Sequence, residues 1–140
     1  MNTYTVSILG VIFGALVPMI VGMLWYSPIL FGKKWMALVG MTDADMVTAK
    51  GSAKKAYLLS FIGALIMSYV LSLFLANLFI ISIGQALYVG FFAWLGFIVP
   101  SMAGEYVYTV RPRPWSLYIL HIGYQLVSAL LMVAVLYFFR

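Results

Sequence analysis

Two ionisable side chains, Glu105 and His121, lie inside long segments that otherwise carry almost no charge, and Arg111 and Arg113 lie between them in the chain. A carboxylate beside an imidazole can transfer protons or hold an ion. Ionisable groups near hydrocarbon are costly unless they are paired, which makes them candidates for function. The pair therefore predicts either proton, ion or ligand handling, or a structural clamp in which Glu105 accepts hydrogen bonds from His121 or from the arginine loop.

Further polar side chains follow His121 along one helix face, because Tyr118, His121, Gln125 and Ser128 are spaced by three, four and three residues. Other polar side chains lie at a comparable predicted depth. Together they could line a cavity, or they could satisfy one another as hydrogen bonds between helices. The candidate residues for lining a ligand or ion site are Glu105, His121, Tyr124, Gln125, Trp94, Ser68 and Tyr69.

Several chemistries find no support in the sequence. One histidine and no cysteine cannot form a typical zinc site, no Ser/His/Asp set lies at matched depth, and no glycine-rich phosphate loop is present. We therefore predict no catalytic residue, no metal site and no cofactor, and an enzyme is the less favoured reading. The net charge of +5 comes from basic residues beside apolar segments, which favours anionic lipid headgroups over nucleic acid as partners.

The composition requires a membrane protein, since 66% of the residues are apolar and 8% are charged. Three blocks without a charged side chain contain the apolar residues, and a span needs about 20 of them. The middle block is long enough for two spans, with a break at Ser82-Ile83-Gly84. The sequence predicts one integral domain over residues 1–140, with spans near 4–26, 57–78, 84–108 and 116–138.

The basic residues predict an orientation. Seven of the eight lie in the loops at 27–56 and 109–115, and only Arg140 lies on the other side. By the positive-inside rule both loops face the cytoplasm. We therefore expect a protein integral to the cell (inner or cytoplasmic) membrane, with its N-terminus and C-terminus outside. A signal peptide is not expected, because the first segment lacks a basic start and a small-residue cleavage pattern.

The first span carries Gly10, Gly14, Pro18 and Gly22 at four-residue spacing, which forms a stripe for close helix packing. The stripe could pack within the protomer or form a seam between copies. After this span, Ser27 and Pro28 predict the start of an interfacial amphipathic helix that runs to Gly40. Thr42 and Asp45 then predict a capping box on a short helix.

One sequence segment resembles a known family. Gly22-Met-Leu-Trp-Tyr-Ser-Pro-Ile-Leu-Phe-Gly-Lys-Lys-Trp-Met36 is similar to the signature of the bacterial domain of unknown function 1761 family, and the similarity continues in Trp94-Leu-Gly-Phe97 and Arg113-Pro-Trp115. The resemblance implies a small four-span membrane protein and no activity. It also implies a cytoplasmic corner, which is either a shared site or a folding feature. The corner residues are Trp25, Tyr26, Ser27, Pro28, Trp35, Arg113, Pro114 and Trp115.

The expected fold is an all-α membrane protein, a four-transmembrane-helix bundle with an interfacial amphipathic helix after the first span. So small a bundle encloses little cavity alone, which favours a homo-oligomer. The leading hypothesis is a module that binds or translocates a small molecule, lipid or ion. The alternatives are a non-catalytic structural or accessory protein and a lipid-modifying membrane enzyme, for which Glu105 and His121 are the candidate acid/base pair.

Overall fold

Helices form most of the computed structural model, which describes residues 5–140. Four helical segments are long and apolar enough to cross a membrane, and the described residues contain no strand. The expected all-α fold, with four helices long and apolar enough to span a membrane, is confirmed. The elements are α1 (Ile8–Trp25), α2 (Gly32–Val39), α3 (Asp43–Ala49), α4 (Ala53–Asn77), α5 (Ile83–Ala93), α6 (Val99–Val107) and α7 (Trp115–Phe138).

The third span is built from three pieces, since a π-helical segment, Trp94–Ile98, joins α5 to α6. The other observed spans lie within four residues of the predicted ends, and a short 3₁₀ turn, Lys50–Ser52, joins α3 to α4. The predicted start of the first span at Tyr4 lies outside the described residues, and α1 begins at Ile8 after the Ser7 hydroxyl caps it.

The last span, α7, is the centre of the bundle. It contacts α1, α4, α5 and α6, and its buried residues Met132, Val133 and Leu136 form the core together with residues of α4 and α5. Gly90 of α5 allows one of these contacts, because a Cβ there would lie 2.7 Å from Val133. The core therefore fills the half of the bundle where α1 starts and α7 ends.

The glycine stripe of α1 packs inside the protomer. Gly14 lies directly against the hydroxyl of Ser68, a fully buried residue of α4, and that hydroxyl donates to the carbonyl of Val11 at 2.9 Å. Gly22 lies against the ring of Tyr124 on α7. Small residues thus let α1 approach both neighbours closely.

The corner after α1 differs from the prediction, because α2 begins at Gly32 and not at Pro28. Ser27 does not cap α2: its hydroxyl donates back to the carbonyl of Leu24 at 2.7 Å and ends α1. A tight turn follows in which Gly32 N–H donates to the Ser27 carbonyl at 2.8 Å. A Cβ at Gly32 would lie 2.5 Å from the Tyr26 carbonyl oxygen, so only glycine fits and the helix starts there.

The short helix α3 begins as predicted. The Thr42 hydroxyl accepts from the Asp45 N–H at 3.2 Å, and the Asp45 carboxylate accepts from the Thr42 N–H at 2.8 Å. The capping box is therefore confirmed. Donation from the Thr42 backbone and hydroxyl to this carboxylate holds the pKa of Asp45 below its usual value.

The hairpin between α4 and α5 closes at the predicted break. The Ser82 hydroxyl caps α5 by accepting from Gln85 N–H at 3.3 Å, and the Gln85 side chain accepts from Ile81 N–H at 2.8 Å. The chain end secures this turn, since Tyr137 donates to the Ile81 carbonyl at 3.2 Å and Arg140 donates to the Ile80 carbonyl. The second and third spans are thus fixed together at this end.

The third span is irregular one turn before Pro100. Pro100 has no N–H, and its ring crowds the carbonyl four residues earlier, that of Gly96. The helix widens over Trp94–Ile98, and Val99 N–H donates to the Trp94 carbonyl five residues back instead of four. Proline is thus the physical reason for the π segment.

The close contact at Gly14 gives a first prediction. Gly14→Ala places a methyl group against the buried Ser68 hydroxyl, so we expect the free energy of unfolding to fall by about 1–3 kcal/mol. The measurement is denaturant unfolding in detergent micelles. Gly63→Ala is the matched control because a Cβ there meets nothing within 4 Å, and it should leave stability unchanged or raise it by up to about 1 kcal/mol. Equal effects of the two substitutions would contradict the packing described.

Candidate functional site

Aromatic side chains and one histidine join α1, α2 and α7 at the basic end, which is the end of the bundle where α1 and α6 finish and α4 and α7 start. The Tyr26 hydroxyl and His121 Nδ1 are hydrogen bonded at 2.9 Å. The Tyr26 ring also packs on those of Trp35 and Tyr124, with centroids 5.6 and 5.4 Å away. His121 is thus held from the side of α1.

Glu105 lies apart from this cluster. Its side chain is 66% exposed, and its Oε2 lies 3.8 Å from Nη1 of Arg113, which is 52% exposed. A separation of 3.8 Å is longer than a normal hydrogen bond, so this is a loose ion pair. The clamp hypothesis offered Glu105 two partners, His121 and the arginine loop. In the structure Glu105 faces the arginine loop, and His121 is bonded to Tyr26.

The Arg113 guanidinium has a second neighbour. It lies over the ring of Tyr106, 5.9 Å from the centroid. Tyr106 is buried and packs against Trp115 and Tyr118, with centroids 6.4 and 5.2 Å away. Arg113 is therefore placed by an aromatic cluster as well as by Glu105.

Three of the other candidate lining residues, Tyr124, Trp94 and Ser68, hydrogen-bond to backbone carbonyls of a neighbouring helix. Tyr124 donates to the Pro18 carbonyl at 2.8 Å, and Trp94 Nε1 donates to the Ile122 carbonyl at 2.8 Å. Ser68 is bonded to Val11 as described above. Tyr69 is 49% exposed, and Gln125 is partly buried on α7.

Tyr118 adds another such bond by donating to the Val99 carbonyl at 2.7 Å. With the Trp94 bond, it fixes both ends of the π segment to α7. The sequence singled out Trp94 and Tyr118 as polar residues of the spans, but it did not indicate that they act on the same turn.

A groove of about 360 Å³ lies beside the π segment, between the second and third spans, with α7 as its floor. Trp94 alone among the candidate lining residues borders it. The groove lining is apolar apart from the indole N–H, which is already bonded to Ile122. The lining residues are Met67, Val70, Leu71, Phe74, Ala93, Trp94, Phe97, Ile98 and Ala129.

The comparison with known families covers almost the whole chain. Residues 9–137 match the family described as Protein of unknown function (DUF1761). The chain belongs to this family. No curated protein and no solved structure matches it. The DUF1761 membership confirms the resemblance suspected from the sequence and assigns no activity.

The DUF1761 signature residues meet at the basic end. Trp25 packs on Phe31 with centroids 4.7 Å apart, and Gly123 of α7 lies against the Trp25 ring. Leu117 and Leu120 are buried beneath this corner. The corner residues on α1 and α2 thus share a cluster with the start of α7, and the ring of Trp115 joins it through Tyr106.

Sequence reasoning missed the groove itself. Its lining residues are ordinary apolar side chains, whose spacing resembles that of any lipid-facing helix. The available signal was Pro100 with Gly96 four residues before it, a combination that disturbs a helix at a predictable turn. The direction in which that turn would open depends on how α7 packs, which spacing alone does not give.

The different settings of Tyr26 and Glu105 give a second prediction. Tyr26→Phe leaves His121 Nδ1 without its 2.9 Å partner in a partly buried site, so the free energy of unfolding should fall by about 1–2 kcal/mol. Glu105→Gln removes an exposed, loose ion pair and should change it by less than about 1 kcal/mol. Both are measured by denaturant unfolding in the same detergent. A larger effect from Glu105→Gln would show that the carboxylate is the structural group.

Proposed function

We propose that this membrane protein binds the acyl chain of a lipid in the groove between the second and third spans. The observation that carries the proposal is the groove of about 360 Å³ beside the π segment. That volume falls in the range of about 300–1,000 Å³ common for ligand sites. Short π segments in α-helices are frequently found at functional sites.

The lining favours an apolar ligand. A polar solute would lose its hydration in the groove without gaining partners, which is costly. The indole N–H of Trp94 is not available to it, since the Ile122 carbonyl accepts that hydrogen bond. An acyl chain has no hydration to lose and needs no hydrogen-bond partner. Acyl chains are also the groups at highest concentration at this depth of a bilayer.

The shape of the lining favours a flexible chain over a helix from a second copy. Helices in membranes pack closely through small residues. The groove instead presents the bulky side chains of Phe74 and Phe97, which are 38% and 67% exposed, and its small residues Ala93 and Ala129 lie at the back. A thin, adaptable chain fits between such side chains better than a rigid cylinder about 10 Å wide.

Three interior polar side chains support binding over translocation. Ser68, Trp94 and Tyr124 all donate to backbone carbonyls, and none of these three bonds leaves a donor directed into an open path. A route for ions or polar solutes would need such groups to exchange partners. Glu105, the candidate acid for transport, is largely exposed at the basic end.

The same hydrogen bonds favour a second candidate function, a non-catalytic structural or accessory protein. Side chains that only satisfy backbone carbonyls stabilise a bundle without any ligand. The two functions differ in what they require of the groove, since only a lipid-binding protein needs it to stay open.

Blocking the groove provides the test. The protein is placed in membranes that contain phosphatidylcholine with a photoreactive acyl chain, extracted into detergent, freed of excess lipid and then irradiated. Retained lipid should label peptides that contain Met67 or Phe97. Val70→Trp fills part of the groove and should reduce this labelling about tenfold, which corresponds to about 1.4 kcal/mol of binding free energy.

Leu95→Trp is the matched control. Leu95 belongs to the π segment that borders the groove, but its side chain does not line the groove. Its exposure, 43%, is close to the 39% of Val70 on α4. This variant should retain the label. Even labelling of all exposed helix surfaces, or no loss in Val70→Trp, would overturn the proposal. Cross-links between protomers at the same residues would identify a second copy as the occupant instead.

A further inference from the structure

We infer that the bound lipid is an anionic phospholipid and that Arg113 binds its phosphate. The inference rests on the proposed function, because the acyl chain of the same lipid occupies the groove. It assigns a headgroup site to residues outside the groove, at the basic end of α6. Glu105 is then the loose partner of Arg113 when no lipid phosphate is bound.

The third span connects the two sites along one face. Ile98 lines the groove, and Glu105 lies seven residues further along the helix. Seven residues are two turns less about 20°, so the two side chains point in nearly the same direction about 10 Å apart along the axis. A chain in the groove can therefore extend along this face to Glu105 and Arg113.

The space along this path is open. A Cβ added to Gly63 of α4, four residues before the groove residue Met67, would meet nothing within 4 Å. Ser101, between Ile98 and Glu105, is exposed. The second and third spans, held together at the hairpin, are therefore not sealed against each other toward the basic end.

Arg113 is suited to a phosphate. Its guanidinium is positioned over Tyr106, and Glu105 at 3.8 Å is too distant to saturate its donors. Guanidinium has five N–H donors and binds phosphate oxygens in pairs. A phosphate can therefore be added with little rearrangement.

The surrounding charge favours an anionic headgroup over a zwitterionic one. Arg111 is exposed two residues from Arg113, and Lys33 and Lys34 are exposed on α2, which packs against α7. The acidic side chain recorded near Arg113 is Glu105. A headgroup with net negative charge gains from Arg113 and the neighbouring Arg111 at this basic end, whereas the amine of a zwitterionic lipid is repelled by them.

The experiment compares two photoreactive phospholipids with identical acyl chains, phosphatidylglycerol and phosphatidylcholine, in vesicles of phosphatidylcholine at moderate salt. After extraction and irradiation, groove labelling by phosphatidylglycerol should exceed that by phosphatidylcholine about tenfold. Arg113→Gln should remove most of this preference, leaving only the part that the remaining cations supply. Arg113→Lys, which keeps the charge but loses paired donation, should retain a reduced preference.

Two further variants separate a site from general attraction to the membrane. Lys50→Gln removes an exposed cation on another element and should leave the preference unchanged. Glu105→Gln removes the carboxylate that competes for Arg113 and should raise the preference. Because Glu105 and Arg113 are both exposed, the melting temperature of each variant should stay close to that of the wild type, which excludes misfolding as the cause.

The results distinguish this inference from the proposed function. Equal groove labelling by both lipids in the wild type overturns the headgroup assignment and leaves acyl-chain binding intact. The same loss of preference in Lys50→Gln as in Arg113→Gln overturns it as well, because bulk charge would then account for the effect. Absence of groove labelling by either lipid overturns the proposed function itself.

Discussion

The hydrogen bonds that Trp94 and Tyr118 donate to backbone carbonyls hold the π segment against α7, and the groove depends on them. A widened turn adds up to one residue to the helix, which rotates everything after it by as much as about 100°. The face of α6 that carries Glu105 is therefore set by this turn. In an apolar environment both bonds are strong constraints, because neither donor has water as an alternative partner.

Two sets of polar groups in the bundle contrast with each other. In the spans, Ser68, Trp94 and Tyr124 donate to backbone carbonyls of another helix and hold the helices together. Those at the basic end, Glu105 and Arg113, are exposed and only loosely paired. Tightly bonded groups position the helices, and loosely paired charges remain able to accept a ligand. The architecture thus fits a binding protein better than one that moves charge through its centre.

Much of the fold could be predicted from the sequence, because bilayer thickness and hydropathy determine the spans. The capping box at Thr42 and the break near Ser82 follow from local chemistry and are present. The start of α2 could not be predicted, because a tertiary turn at Gly32 overrides the capping preference of Ser27. The pairing of His121 with Tyr26 brings together residues 95 positions apart, and no local pattern contains that information.

The candidate site shows the same division. The sequence indicated Glu105 and His121 as ionisable residues near one end of the third and fourth spans, and the ion pair of Glu105 with Arg113 is among the arrangements it allowed. It could not indicate an apolar groove, because lipid-facing and ligand-facing side chains have the same composition. The most direct test of the central claim is an experimental structure of the protein in a lipid bilayer disc. The account predicts elongated density in the groove beside Trp94 that continues toward Arg113; a groove closed by contact of α4 with the π segment, or filled by a helix of another copy, would contradict it.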